Sequence, residues 1–113
     1  MDPSSFVVSK PLRRAVFAAE KMGKASLFAG SQMMVGLNAF EPGQEHAAHR
    51  HAGMDKLYQV LAGSGEILLG DEVHLVKAGA LVFAPADLTH GVRNTGGGQL
   101  VLLVVMAPPP PAK

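Results

Sequence analysis

The 113-residue sequence contains no cysteine. This absence excludes disulfide bonds, thiolate zinc sites and thiol nucleophiles, so a bound metal would have to be held by histidine, carboxylate or amide groups. The sequence also lacks a long apolar run, because the longest, from Leu100 to Ala107, has eight residues. A membrane-spanning helix needs roughly 20 such residues, and we therefore expect no membrane partner.

An excess of charge of either sign is also missing. Ten Lys and Arg residues stand against nine Asp and Glu residues, and the formal net charge is +1. Such a balance creates no basic field for a phosphate backbone, so nucleic acid is not an expected partner. The first residues include no basic leader, and the apolar segment Phe6 to Val8 is too short for a secretion signal, which predicts a cytoplasmic protein.

The composition favours one folded domain built from strands. Hydrophobic residues make up 48% of the chain and charged residues 17%. Thirteen glycines and eight prolines separate short segments rich in Val, Leu and Ile, a pattern typical of strands joined by turns. Strands are predicted over 24–28, 33–41, 47–51, 56–62, 66–69, 73–76, 80–84, 91–94 and 100–106. We expect an all-β fold, closed into a jelly-roll barrel that protects the strand edges.

The two ends of the chain differ from this pattern. An opening proline, three apolar residues at helical spacing and a closing glycine suggest a short helix, namely Pro11, Leu12, Val16, Ala19 and Gly23. Proline has no N–H to continue a strand ladder, so the last residues should form an extended tail. We therefore expect a helical or irregular N-terminal arm over 1–30, a barrel over 31–107 and a proline-rich tail over 108–113.

The histidines lie in the middle of the chain, at His46, His49, His51, His74 and His90. Alternate residues of a strand share one face, so His49 and His51 project together and could hold one ion at about 2.0–2.1 Å. In an unbroken strand His46 would face the other way. His74 is expected to alternate with core-facing Val73 and Leu75 and to lie outside any pocket.

Two blocks of residues resemble the motifs of the cupin superfamily. The first block has a Gly, a His-x-His pair and a Gly, at Gly43, His49, His51 and Gly63. The second has a Gly, a Pro, a His and an Asn, at Gly79, Pro85, His90 and Asn94, while Asp87 stands where the motif has its second Gly. The resemblance spans residues 36 to 106 and is closest to small single-domain bacterial cupins of the cupin-2 type. It implies a jelly-roll barrel, a metal held by His49, His51 and His90, and a homodimer in which the segment up to Phe28 could add a strand to the partner.

The sequence departs from the first motif at its glutamate. Counted back from Gly63, that position falls on Lys56, and a protonated ammonium has no lone pair for a cation. Neighbouring Asp55 faces the opposite side of a regular strand, so only a bulge would bring its carboxylate inward. Three interpretations stay open: the three histidines hold a metal completed by water or substrate, Asp55 joins them after a register shift, or no metal binds. Lys56 itself could face the pocket or extend to the rim.

The resemblance also suggests a pocket within the barrel, with Lys56, Tyr58, Phe40 and Phe83 as candidate lining residues. A three-His site suits one divalent transition metal such as Zn, Fe, Ni, Cu or Mn, and imidazole ligands alone do not select among them. We expect a metal-binding small-molecule cupin, with oxygenase or isomerase-like chemistry as its enzymatic form. The alternative is a non-catalytic cupin that binds a sugar or a small acid, with or without metal, and the sequence leaves open whether the protein is an enzyme.

Overall fold

Nine short β-strands build the fold in residues 6–110, which are the residues that the computed structural model of the protein describes. The strands are β1 Gly23–Ala29, β2 Met34–Phe40, β3 Glu45–His49, β4 Asp55–Ala62, β5 Ser64–Leu69, β6 Glu72–Lys77, β7 Leu81–Ala84, β8 His90–Arg93 and β9 Leu100–Ala107. Each of the nine predicted segments overlaps one of these strands. The start of the N-terminal arm and the residues 111–113 of the proline-rich tail lie outside the described residues.

The strands form two antiparallel sheets. The first has five strands in the order β1-β2-β9-β4-β7, and the second has four in the order β3-β8-β5-β6. Several of the pairs join strands that are distant in the sequence, as β2 does with β9. The predicted all-β double-sheet architecture is confirmed.

The core lies between the inner faces of the two sheets. Tyr58 and Val60 of β4, Leu102 of β9 and Ile67 of β5 are almost completely buried in it. Buried positions alternate along β4 and β5, whereas β9 is buried on both faces at its start. The burial of these apolar side chains is the main force that holds the sheets together.

The N-terminal arm covers the outer face of the first sheet, but it does so without the predicted helix. Where the helix was expected, Pro11–Arg14 form a four-residue 3-10 turn, and Ala15 is already extended. Ala15 and Phe17 pack against a second apolar cluster formed by outward-facing residues of β2 and β9, including Leu37. The arm is therefore held by contacts with the outer face of the sheet and does not form the predicted helix. The end of the arm is β1 itself, so residues 23–29 belong to the sheet.

The prediction that Val73 and Leu75 of β6 face the core is wrong. Val73 and Leu75 are 59% and 79% exposed. The register pairs His74 with the core residue Ile67, and directly paired residues share a face, so Val73 and Leu75 lie on the outer face of the second sheet. His74 is also exposed because β6 is an edge strand, and its ring lies 3.3 Å from a carboxylate oxygen of Glu72. Within residues 6–110 there is no helix long and apolar enough to cross a membrane.

Candidate metal centre

Three histidines meet at one end of the barrel. His49 ends β3, His51 follows it, and His90 begins β8 directly opposite His49. One ligand nitrogen of each residue lies within 4.8 Å of those of the other two. The ring of His49 is central, with centroids 4.7 Å from the ring of His51 and 4.4 Å from that of His90. The fold thus brings together residues that are 41 positions apart in the sequence, between His49 and His90.

The backbone fixes the orientation of two of these rings. Nδ1 of His49 lies 2.8 Å from the carbonyl oxygen of Ala47, and Nδ1 of His90 lies 3.0 Å from that of Leu88. A carbonyl oxygen only accepts, so each Nδ1 carries the proton and each Nε2 keeps its lone pair. Both Nε2 atoms are buried and have no hydrogen-bond partner within the described residues. Buried nitrogens with free lone pairs are what a metal ion requires.

The backbone around His51 is held by the turn before β8. The amide of Asp87 donates a hydrogen bond of 3.0 Å to the carbonyl oxygen of His51. Asp87 has a φ of 69°, in the left-handed region that favours glycine, which is the residue of the cupin motif at this position. Aspartate adopts this conformation more readily than most residues, so the turn that supports His51 is preserved without the glycine.

The surroundings of His51 and His90 favour the neutral form of both rings. Burial, and then repulsion by neighbouring positive groups, lowers the pKa of His51. Burial likewise lowers the pKa of His90, although the hydrogen bond to Leu88 opposes this. Imidazole binds a metal in its neutral form, so these shifts favour ligation.

His46 is a fourth member of the cluster that the alternation of strand residues does not predict. A bulge in β3 between His46 and His49 turns the two rings toward each other, with centroids 4.3 Å apart. Burial and the nearby His49 lower the pKa of His46 to about 3, and its buried Nδ1 has no partner among the described residues. His46 faces the cluster because the bulge inserts one residue between it and His49. The neighbouring sequence does not predict this bulge.

Lys56 points into the barrel. Its side chain is only 3% exposed, and its register opposite Met106 and Ala84 places it on the same inner face as Tyr58. Asp55 faces outward and accepts a hydrogen bond of 2.9 Å from the amide of Ala86. The bulge in β4 lies beyond Val60 and leaves Asp55 in this position, so no carboxylate of the described residues joins the histidine cluster.

The other candidate pocket residues have different placements. Tyr58 is fully buried, its ring centroid lies 6.3 Å from that of His90, and its hydroxyl has no partner within residues 6–110. Phe40 is also fully buried, but it lies within the core cluster. Phe83 is 54% exposed on the outer face of β7, because the inner positions of that strand are Val82 and Ala84. This placement corrects the expectation that Phe83 lines the barrel interior.

A cavity of about 270 Å³ opens next to the cluster on the inner face of the first sheet. Its polar lining residues are Lys24, Ser26, Asn38, His46 and Lys56. The remaining lining is mostly apolar and includes Met34 and Met106. Ligand sites typically measure roughly 300–1,000 Å³, and this cavity lies just below that range, so it suits a small molecule. Neither Phe40 nor Tyr58 lines it.

Asn94 has a structural role beside the site. Its side-chain amide donates to the carbonyl oxygens of Phe40 and Gly98 at 3.0 and 2.9 Å, and its Oδ1 accepts from the amide of Gly96 at 3.1 Å. These three bonds satisfy a buried polar side chain and connect the end of β2 to the turn before β9.

Comparison with known proteins identifies the class. A family model described as a cupin domain matches residues 36–106, more than half of the chain. The chain therefore belongs to the cupin family, and the resemblance drawn from its two motifs is confirmed.

The chain is also similar to individual proteins. The chain is 34% identical over 59 residues to the dimethylsulfoniopropionate lyase DddW of Ruegeria pomeroyi, covering 52% of this chain and 38% of DddW. It is 32% identical over 62 residues to protein SchB of Streptomyces halstedii, covering 55% of this chain and 45% of SchB. The matches thus span less than half the length of each of these relatives. The crystal structure of TT1209 from Thermus thermophilus is similar over 91% of this chain and 98% of its own, with 40% identity and a TM-score of 0.87.

Proposed function

We propose that the protein binds one divalent transition metal through Nε2 of His49, Nε2 of His90 and a ring nitrogen of His51, and a small molecule in the adjoining cavity. The observation that carries this proposal is the pair of buried, unpartnered Nε2 atoms whose rings are held by backbone carbonyls. A buried nitrogen without a partner is unfavourable in itself, and a metal bond would compensate for it.

Three imidazoles leave coordination positions open on the metal. A metal with open positions polarises a substrate oxygen or activates a water, which is the chemistry that an oxygenase or isomerase-like cupin would use. His46 and Lys56, which line the cavity, would bind and shield the substrate. The name of DddW, a lyase, supports an enzymatic use of such a site.

The second candidate function is a non-catalytic cupin that binds a sugar or a small acid. Lys56 favours it, because an inward-facing ammonium occupies the position where the cupin motif has a metal-binding glutamate. An enzyme should retain stoichiometric metal, whereas a pure binder would purify without metal and still be stabilised by its ligand.

Zinc titration of metal-stripped, untagged protein tests the proposed site. We expect one equivalent to bind to the wild type, and at least tenfold weaker binding to His49→Ala and His90→Ala, because each variant removes one of three ligands. His74→Ala is the matched control, since His74 is exposed on β6 and should not alter the affinity. Equal affinity in all four proteins would contradict the site.

We also propose that the chain forms a homodimer. Within the N-terminal arm, the strand β1 pairs with β2 of its own chain, and β1 is an edge strand of the first sheet. Edge strands have unpaired backbone groups that another chain can pair with. Light scattering at micromolar concentration should therefore give about twice the 11.8 kDa mass of the chain. A monomer mass would reject the dimer.

A further inference from the structure

The cavity beside the histidine cluster carries positive charge and no opposing negative charge. Lys24 of β1 and Lys56 of β4 both line it, and none of its lining residues is an aspartate or a glutamate. The two lysines differ in depth, because Lys24 is exposed at the surface whereas Lys56 is buried. A small molecule that enters past Lys24 would therefore meet a second cation inside.

Lys56 has no protein anion to balance its charge. Within residues 6–110, neither Lys56 nor Lys24 forms an ion pair. A compensating group is the ring of Tyr58, whose centroid lies 5.2 Å from Nζ of Lys56, and a cation–π contact offsets only part of the desolvation of an ammonium. Burial and repulsion by Lys24 lower the pKa of Lys56 to about 8, which still leaves it mostly charged at neutral pH.

We propose that this cavity binds a small organic carboxylate, with Lys56 as its buried ionic partner and Lys24 at its entrance. Asn38, which pairs with Lys24 across β1 and β2, supplies a nearby amide for a hydrogen bond. A carboxylate accepts several such bonds at once and compensates for the unpaired charge.

The remaining lining indicates how this carboxylate lies in the cavity. Met34 and Met106 provide an apolar wall for an aliphatic body. His46 lines the cavity and also contacts the ring of His49, so the cavity reaches the edge of the histidine cluster. The binding of the carboxylate by the lysines does not depend on the proposed metal centre.

Methionine-methyl NMR of the metal-stripped protein tests the carboxylate site with butyrate as the probe. We expect butyrate, added at constant ionic strength in sodium chloride, to shift the methyl signals of Met34 and Met106 in a saturable manner. Met33 is exposed and does not line the cavity, so its signal serves as the internal reference. Butyramide has nearly the same shape without the charge and should bind at least tenfold more weakly.

Variants separate the charge of Lys56 from its packing. Lys56→Gln should weaken butyrate binding at least tenfold, Lys56→Arg should largely retain it, and Lys77→Gln on β6 should leave it unchanged. Lys24→Gln, at an exposed position, should also weaken binding and provides the test if Lys56→Gln does not fold. Equal responses to butyrate and butyramide, or unchanged affinity in Lys56→Gln and Lys24→Gln, would overturn the proposal. Because no metal is present, this result is independent of the zinc titration, and either proposal can fail alone.

Discussion

At Lys56, the strand register decides the chemistry of a single side chain. The alternation of strand residues predicts that either Asp55 or Lys56 lines the pocket, but it does not show which of them does so. The pairing of Lys56 with Met106 and Ala84 places the ammonium inside and the carboxylate of Asp55 outside. The spacing of His49, His51 and His90 was informative because all three occupy motif positions, although β3 ends at His49 and strand alternation does not extend to His51. The inward turn of His46 depends on a bulge and was not predictable from alternation.

Burial of Lys56 should make stability depend on pH. The pKa of Lys56 falls from 10.5 in the unfolded chain to about 8 in the folded protein, so the unfolded state binds more protons between these values. Folding therefore carries an unfavourable contribution below about pH 8, and this contribution disappears as pH rises toward 10.5. The strand neighbours of Lys56, Met106 and Ala84, are uncharged, and the titratable groups that interact with it are Lys24 and the histidines His46, His51 and His90.

We predict that Lys56→Met raises the free energy of unfolding by on the order of 2 kcal/mol at pH 7 and that this gain shrinks by pH 10. Chemical denaturation of the metal-stripped protein at both pH values measures the difference. Lys77→Met is the control, because this exposed lysine should show little change at either pH. A destabilising effect at pH 7, or a gain of equal size at pH 10, would contradict the assignment of Lys56 as a buried cation.

At the scale of strands and turns, the sequence was most informative where glycine, proline and apolar runs alternate. All nine strands were predicted to within a few residues. The helical spacing near Pro11 was misleading. The chain is already extended at Ala15, and Ala15 and Phe17 pack, partly buried, against the outer face of the first sheet. Leu75 was also misleading, because its apolar side chain suggested burial in the core but lies exposed on the outer face of the second sheet.

Two turn glycines give a matched test of how closely neighbouring backbone packs against the turns. Gly63 and Gly79 both have a positive φ, of 82° and 97°. A Cβ atom at Gly63 would overlap the carbonyl oxygen of Gln99, whereas a Cβ at Gly79 would meet nothing within 4 Å. Gly79→Ala should therefore lower the free energy of unfolding by about 1–2 kcal/mol through backbone strain alone, and Gly63→Ala by at least twice as much. Equal denaturation midpoints for the two variants would show that the approach of Gln99 to Gly63 is unimportant.

At the scale of the whole molecule, the candidate site is a product of the sheet arrangement. His49 and His51 come from the region of β3, His90 from β8, and Lys56 from β4 in the other sheet. Local patterns predict strands but not which strands pair, because strand pairing depends on contacts that are distant in sequence. The cupin motifs supplied the missing information for the histidines. They supplied none for Lys24, which lies on a strand outside both motifs.

The central claim is that the histidine cluster is a metal centre, and elemental analysis by mass spectrometry of protein purified without a histidine tag tests it most directly. The claim predicts close to one equivalent of zinc, iron, nickel, copper or manganese per chain, with the metal lost in His90→Ala and retained in His74→Ala. Protein that carries no metal as purified, and takes up none after these ions are added back, would contradict it. The cavity with Lys56 would then be the functional centre of a binding protein.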